Sequence, residues 1–204
     1  MKYKSNNYDH LFGMSGFSRQ LLENHFTLYK GYVDHTNELL EALSRMNKDP
    51  KVPEFAELKR RFGWEFNGMR LHEYYFENLG GTNPLKKSPL QKAIEMEFGS
   101  LSAWEADFKA TGALRGIGWA IVYRDTQGAL LNTWIDEHDC GHLTACSPIL
   151  VLDVFEHAFL LDYGLERGEY IEAFMKNVDW EVASERYDTA KQIKISSPGQ
   201  LKKG

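Results

Sequence analysis

The chain has 204 residues, 43% hydrophobic and 13% aromatic, enough for one compact unit or two small lobes sharing a core. Its formal net charge is -5, with acidic and basic side chains interspersed, which argues against a nucleic-acid or anionic-membrane partner. No apolar run reaches the roughly eighteen residues a membrane span needs, and the opening "MKYKSNNYDHLFG" lacks the apolar core of a secretory signal.

Residues 17–47, "FSRQLLENHFTLYKGYVDHTNELLEALSRMN", place Leu21, Leu22, Leu28, Tyr29, Tyr32, Val33, Leu40 and Leu43 at helical spacing, with His25 in the same stripe. This predicts one long amphipathic helix, free to bend at Gly31. "NKDPKVP" breaks it, and Pro53 suits the first position of a second helix. That helix runs through "EFAELKRRFGWEFNGMRLHEYYFENLGG" and is expected to end at Gly80-Gly81. Two long helices with a short link predict an antiparallel hairpin. A lobe boundary near "GGTNPLKKSP" divides the chain into 1–83, the hairpin, and 84–204.

The second half reads differently. "SPLQKAIEMEFGS" is a short helix with Ser88 as N-cap and Pro89 at its first position. "SAWEADFKAT" is expected to open with Ser102 and Glu105 as a capping box. "GWAIVYR", "DTQG" and "ALLNTWID" read as strand, turn and strand, and "PILVLDV" as a third strand rich in β-branched residues. "EHAFLLDYG", "GEYIEAFMKN" and "VDWEVASERYDTAKQ" are expected as closing helices, and "KISSPGQLKKG" as a polar, frayed tail. The fold class is therefore α+β: a helical hairpin lobe, then a lobe with a three-stranded antiparallel sheet flanked by helices. Cys140 and Cys146, the only cysteines, are expected as reduced thiols of a cytoplasmic protein.

"LDVFEHAFLLDYG" poses a physical question, because it sets Asp153, Glu156 and His157 among apolar residues. Burying ionisable groups is costly unless they are paired or coordinated. Asp153 ends the third strand, and His157 opens the next element. His25 and His72 each sit amid apolar residues of a different long helix, and a hairpin can bring them face to face. Imidazoles and a carboxylate without thiolate suit iron, manganese or zinc. On pattern alone, each of these histidines is as readily a packed core residue, and Asp153 as readily a helix cap.

The surrounding words favour the metal. "LDVFEHAFLLDY" resembles the D-x-W-E-H signature of the iron/manganese superoxide dismutases. "AIEMEFGSLSAWEADFKATG", "GIGWAIV" and "GEYIEAFMKNVDWEVASERY" are similar to further stretches of that family in the same order, and "FSRQLLENHFTLYKGYVDHTN" more loosely so. The resemblance spans residues 8–192. It implies His25, His72, Asp153 and His157 as ligands of one iron or manganese ion per subunit. It also implies Tyr32 as the tyrosine facing substrate, Trp119 as a shield, and Glu156 as a contact to the partner's metal-bound histidine. The family aims a Gln or His at the metal-bound solvent, from the second helix or from the end of the second strand. The helix position is Gly68, which has no side chain to offer. His138 fits the strand position and leans the choice of metal towards iron, with His142 as the alternative.

The resemblance further implies superoxide as substrate, a homodimer or homotetramer, and no nucleic-acid or membrane partner. Arg167 and Lys30 are candidate steering cations. The sequence departs from the family at Phe155, Phe76, Tyr29 and Phe159. Tyr29 and Phe159 stand where members have a bonded His–Tyr pair across the dimer, so a re-made interface is expected. The altered surroundings leave a second reading: a family member that binds metal without dismutase activity, in a binding or structural role. A di-iron helical protein is disfavoured, because it needs Glu-x-x-His on two helices.

Overall fold

A computed structural model describes residues 2–193, and the expected tail "KISSPGQLKKG" lies outside them. The hairpin comprises α1 (Arg19–Arg45) and α2 (Pro53–Glu77), packed along their lengths. Ser18 caps α1, its hydroxyl accepting from Leu21 N–H at 3.0 Å. Pro53 opens α2, where its missing N–H removes no helical bond. The N-terminal strap crosses α1, with Tyr3 N–H donating to Asn37 Oδ1 at 2.8 Å.

α2 stops at Glu77, ahead of Gly80-Gly81. The reason is Asn78, whose Nδ2 donates to Tyr75 O at 2.9 Å while its Oδ1 accepts from Val151 N–H at 2.9 Å. Its side chain thus ties the helix end to the sheet lobe. Gly81 serves a close approach instead of a cap: a Cβ there would stand 2.4 Å from Val178 O.

The second lobe begins with α3 (Pro89–Phe98) and α4 (Leu101–Gly112). Ser88 caps α3 as expected. The cap of α4 is Ser100, two residues before the expected Ser102. Ser100 has extended backbone, φ -159° and ψ 162°, and its Oγ accepts from Ala103 N–H at 3.1 Å. Ser102 already lies inside the helix, so no capping box forms with Glu105. Ser100→Ala is expected to cost about 1 kcal/mol of stability, and Ser102→Ala less than about 0.5 kcal/mol. Paired thermal melts would show this difference, and equal melts would remove the assignment.

The sheet has order β2-β1-β3, with β1 (Trp119–Arg124) central between β2 (Leu130–Ile135) and β3 (Ser147–Asp153), both antiparallel to it. Asp125 closes the β1–β2 turn, its Oδ1 accepting from the N–H groups of Gln127, Gly128 and Ala129. β3 is buried from Ile149 onward because α2 and α7 (Trp180–Gln192) pack against it. The register pairs Trp119 with Asp153, so one rung of the sheet meets the hairpin. After β3 comes a 3-10 turn at Glu156–Ala158, where a longer helix was expected. α5 (Leu160–Tyr163) and α6 (Arg167–Lys176) precede α7. Among the described residues, no helix is long and apolar enough to cross a membrane.

Candidate metal centre

Four side chains from four separate elements meet between the hairpin and the sheet. His25 belongs to the buried stripe of α1, with Leu21, Leu22, Tyr29 and Val33. His72 belongs to a stripe of α2 that steps four residues at a time through Trp64, Gly68, His72 and Phe76. Asp153 ends β3, and His157 lies on the turn that follows. One ligand atom from each lies within 4.8 Å of every other. Asp153 Oδ2 stands 3.2 Å from His25 Nε2, 3.1 Å from His157 Nε2 and 3.6 Å from His72 Nε2. His72 and Asp153 are fully buried and His25 nearly so, while the His157 side chain retains 28% exposure.

These residues fit a metal ion. His72 Nε2 is buried with no hydrogen-bond partner, although it faces the other ligand atoms. His72 Nδ1–H donates to Gly68 O at 2.6 Å, which leaves the Nε2 lone pair aimed inward. An orphaned lone pair beside a carboxylate is costly unless a cation lies between them. Metal–ligand bonds of about 2.1 Å, meeting at about 90–120°, set adjacent donors roughly 3.0–3.6 Å apart, the range seen around Asp153 Oδ2. Imidazole and carboxylate donors suit iron or manganese.

A further layer of groups orients the donors. Asp153 Oδ1 accepts from Phe155 N–H at 2.9 Å, and its backbone carbonyl accepts from Tyr170 Oη at 2.7 Å. Since Tyr170 spends its proton there, Tyr75 Oη donates to Tyr170 Oη across 3.0 Å. Aromatic rings close the surroundings: Trp119 lies edge-on to His72 at 5.1 Å, and Phe76 packs on His25 at 4.8 Å.

Tyr32, His138 and Trp119 form a chain beside the ligands. Tyr32 stacks on His72, with centroids 5.1 Å apart, and its Oη lies 2.7 Å from His138 Nε2. Trp119 Nε1–H donates to His138 Nδ1 at 3.0 Å. An indole nitrogen can only donate, so neutral His138 carries its proton on Nε2 and donates to Tyr32 Oη. His142 is therefore not the group that faces Tyr32. It bonds Tyr123 Oη at 2.9 Å and the His138 carbonyl at 2.7 Å.

Gly68 does more than its missing side chain implied. Its carbonyl orients His72, and a Cβ there would stand 2.6 Å from Tyr32 Cδ1. Trp64 was not foreseen as part of the site, yet its ring lies 4.6 Å from that of His138 and the Arg61 guanidinium packs over it at 5.1 Å. The four-residue spacing of Trp64 through Gly68 to His72 is the signal by which the sequence would mark it. Arg167 is occupied elsewhere, donating to Leu114 O at 2.7 Å and covering the Phe159 ring. Lys30 is exposed on α1. Tyr29 is satisfied within the chain: its Oη donates to Glu73 Oε1 at 3.0 Å and accepts from Asn6 N–H at 3.0 Å. Glu156 faces solvent, and Cys140 and Cys146 are free.

Burial dominates the site's proton affinities. It lowers the His25 imidazole below its ordinary range and the His72 imidazole well below it. It also lowers His138 to about 4 and raises the Tyr32 phenol. Burial alone would raise the Asp153 carboxyl, but the His157 and His25 imidazoles hold it well below the usual range. In metal-free protein, the unfolded chain then binds more protons than the folded chain below about pH 6.5. Stability therefore rises with pH through that window and falls as acid is added. Metal-free protein is expected to melt at a lower temperature at pH 5 than at pH 7; a flat profile would contradict neutral burial of His25 and His72.

Comparison with known proteins supplies an independent line. Residues 86–186 match the family described as "Iron/manganese superoxide dismutases, C-terminal domain". The chain is 37% identical over 186 residues to "Superoxide dismutase [Fe]" of Aquifex aeolicus, covering 87% of each chain. It is 35% identical over 183 residues to "Superoxide dismutase [Fe]" of Cupriavidus metallidurans, covering 87% of this chain and 91% of the relative. It is also 35% identical over 181 residues to "Superoxide dismutase [Mn] 2" of Haloferax volcanii, covering 86% and 89%.

Proposed function

This chain belongs to the iron/manganese superoxide dismutase family, and on that premise we propose the residue roles by which it disproportionates superoxide to dioxygen and hydrogen peroxide. The observation that carries the assignment is the convergence of His25, His72, Asp153 and His157 on one buried point. Iron or manganese held there supplies the one-electron acceptor and donor for two successive superoxide anions.

The protein's own groups handle charge and protons. Asp153 contributes one negative charge, partly offsetting the ion's, so an incoming anion meets a centre of reduced positive charge. Peroxide formation consumes two protons for each pair of superoxide anions. Tyr32 is the group placed to order that delivery: its oxygen accepts from His138, which leaves its own O–H free to donate toward the substrate. Its raised phenol and the lowered His138 imidazole keep both groups neutral near pH 7. Trp119 and Phe155 limit water around the pair, with Phe155 lying 4.7 Å from the His138 ring. Arg61 packs on the ring that touches His138, and although Glu65 pairs with it at 2.8 Å, it is better placed than Arg167 to contribute to anion steering.

A homodimer is the assembly this chain's surface favours. His157 keeps 28% of its side-chain area exposed, and Glu156 beside it is exposed. Leu160 and Leu161 follow at 46% and 56% exposure. A second copy seated there covers a metal ligand and apolar surface together, and brings Glu156 to the facing His157. Glu156→Ala is expected to weaken the dimer about tenfold or more in sedimentation and to lower metal retention; unchanged sedimentation would remove this role. A cytoplasmic setting, in which a chain of this size with two cysteines keeps them reduced, is part of this proposal and is to be checked by fractionation.

The deciding experiment pairs elemental analysis with superoxide removal in protein made with both metals present. Activity that scales with bound iron or manganese, and vanishes on chelation, is the expected result. Full occupancy without dismutation would favour the metal-binding, non-enzymatic reading.

A further inference from the structure

His138 makes two close bonds at the heart of the site, yet it lies in the segment 136–146, which is neither helix nor strand. Regular backbone bonding therefore does not place its ring. Its full burial and its contacts at 2.7 and 3.0 Å require some other restraint. We propose that His142 is the positioning residue that holds His138 against Tyr32 and Trp119, with Tyr123 as its anchor on β1.

With a neutral His142 imidazole, the hydrogen bonds have one consistent polarity. The His138 carbonyl can only accept, so His142 Nε2–H donates to it across 2.7 Å. Neutral His142 then has a bare lone pair on Nδ1, which accepts from Tyr123 Oη–H at 2.9 Å. Asn67 Nδ2 approaches Nε2 at 3.4 Å, but two N–H donors do not bond, so it does not compete for this contact. Tyr123 is buried in the central strand, four residues after Trp119. β1 thus grips both ends of the loop: Trp119 holds the His138 ring, and Tyr123 holds His142, which holds the His138 backbone. Gly141 permits the intervening turn, with φ +82° and Ile135 Cγ2 only 3.1 Å from where a Cβ would stand. Residues that orient a functional group in this way alter activity by about 10–100-fold when removed.

The test uses metal-loaded protein carrying His142→Ala, His142→Gln or Tyr123→Phe. Metal per chain, melting temperature, kcat, KM and the midpoint potential of the bound metal are measured for each. His142→Ala is expected to keep its metal, lose about tenfold in kcat with KM unchanged, and shift the midpoint potential. His142→Gln places an N–H where Nε2 stood and is expected to recover most of both. Tyr123→Phe removes one oxygen and is expected to move the potential in the same direction as His142→Ala. Unchanged kcat and potential in His142→Ala at full metal overturn the proposal, as does a glutamine variant no better than the alanine one. Should His142→Ala fail to fold, an unchanged potential in Tyr123→Phe overturns it. The kinetic arm rests on the dismutase reading, whereas the potential is read without superoxide. A protein that shows the potential shift yet never dismutates superoxide would keep the His142 assignment and lose the proposed function alone.

Discussion

Replacing His72 by alanine is expected to abolish both metal binding and superoxide removal. His72 contributes the one buried nitrogen among the ligands that no hydrogen bond satisfies, so coordination is its only compensation. Its other nitrogen is committed to Gly68 O, which prevents the ring from turning away. Losing this donor should reduce metal affinity by more than the roughly 100-fold that losing an outer partner of a ligand can cost. The fold has a separate source of stability in the packed hairpin and sheet, so the variant should remain folded, though it loses a few kcal/mol to the cavity. His35→Ala serves as the control: His35 lies on α1 like His25, but its side chain is 61% exposed. It should keep full metal and full activity. A His72→Ala protein that holds metal as the parent does would show the ligand set to be wrong.

The second large effect is expected from Gly68→Ala. In a helix interior, alanine is favoured over glycine by about 1 kcal/mol, so the helix itself gains. The added Cβ would nevertheless stand 2.6 Å from Tyr32 Cδ1 and 2.8 Å from Cε1. The Tyr32 ring lies over His72 and cannot yield without moving its hydroxyl away from His138. Overpacking of this kind costs about 1–3 kcal/mol. We expect metal to be retained and kcat to fall about tenfold or more, as for the loss of an orienting partner. In a Tyr32→Ala background the clash is absent, so Gly68→Ala should no longer lower the melting temperature there, while turnover stays low. Full turnover in Gly68→Ala would show that Tyr32 tolerates displacement and does not order the protons.

Much of the frame was legible because local rules govern it. Apolar spacing marked α1 and α2, Pro53 and Ser88 marked helix starts, and the β-branched run marked β3. Where local rules admit two solutions, tertiary contacts select between them. Ser100 and Ser102 are both plausible caps for α4, and the choice turned on backbone that enters extended at Ser100. Gly80-Gly81 looked like a helix stop, yet Asn78 ends α2 by bonding a strand 73 residues away. Gly68 looked empty, because a glycine's carbonyl and the space above it leave no mark in a residue pattern.

The sequence by itself determined the chemical type of the centre. The resemblance of "LDVFEHAFLLDY" to the family signature carried that inference, because a D-x-x-x-H word at a strand end and one histidine in the apolar stripe of each long helix are by pattern as readily a helix cap and core residues. Short-range periodicity says only that each histidine lies on the apolar face of its own helix. Tertiary packing decided the rest: that His138 stands between Tyr32 and Trp119, that His142 is turned to Tyr123, and that Trp64 closes the site. Those contacts join residues 19 to 106 positions apart. At such separations the partner is selected by how helices and sheet interlock, because no local backbone preference acts across that distance.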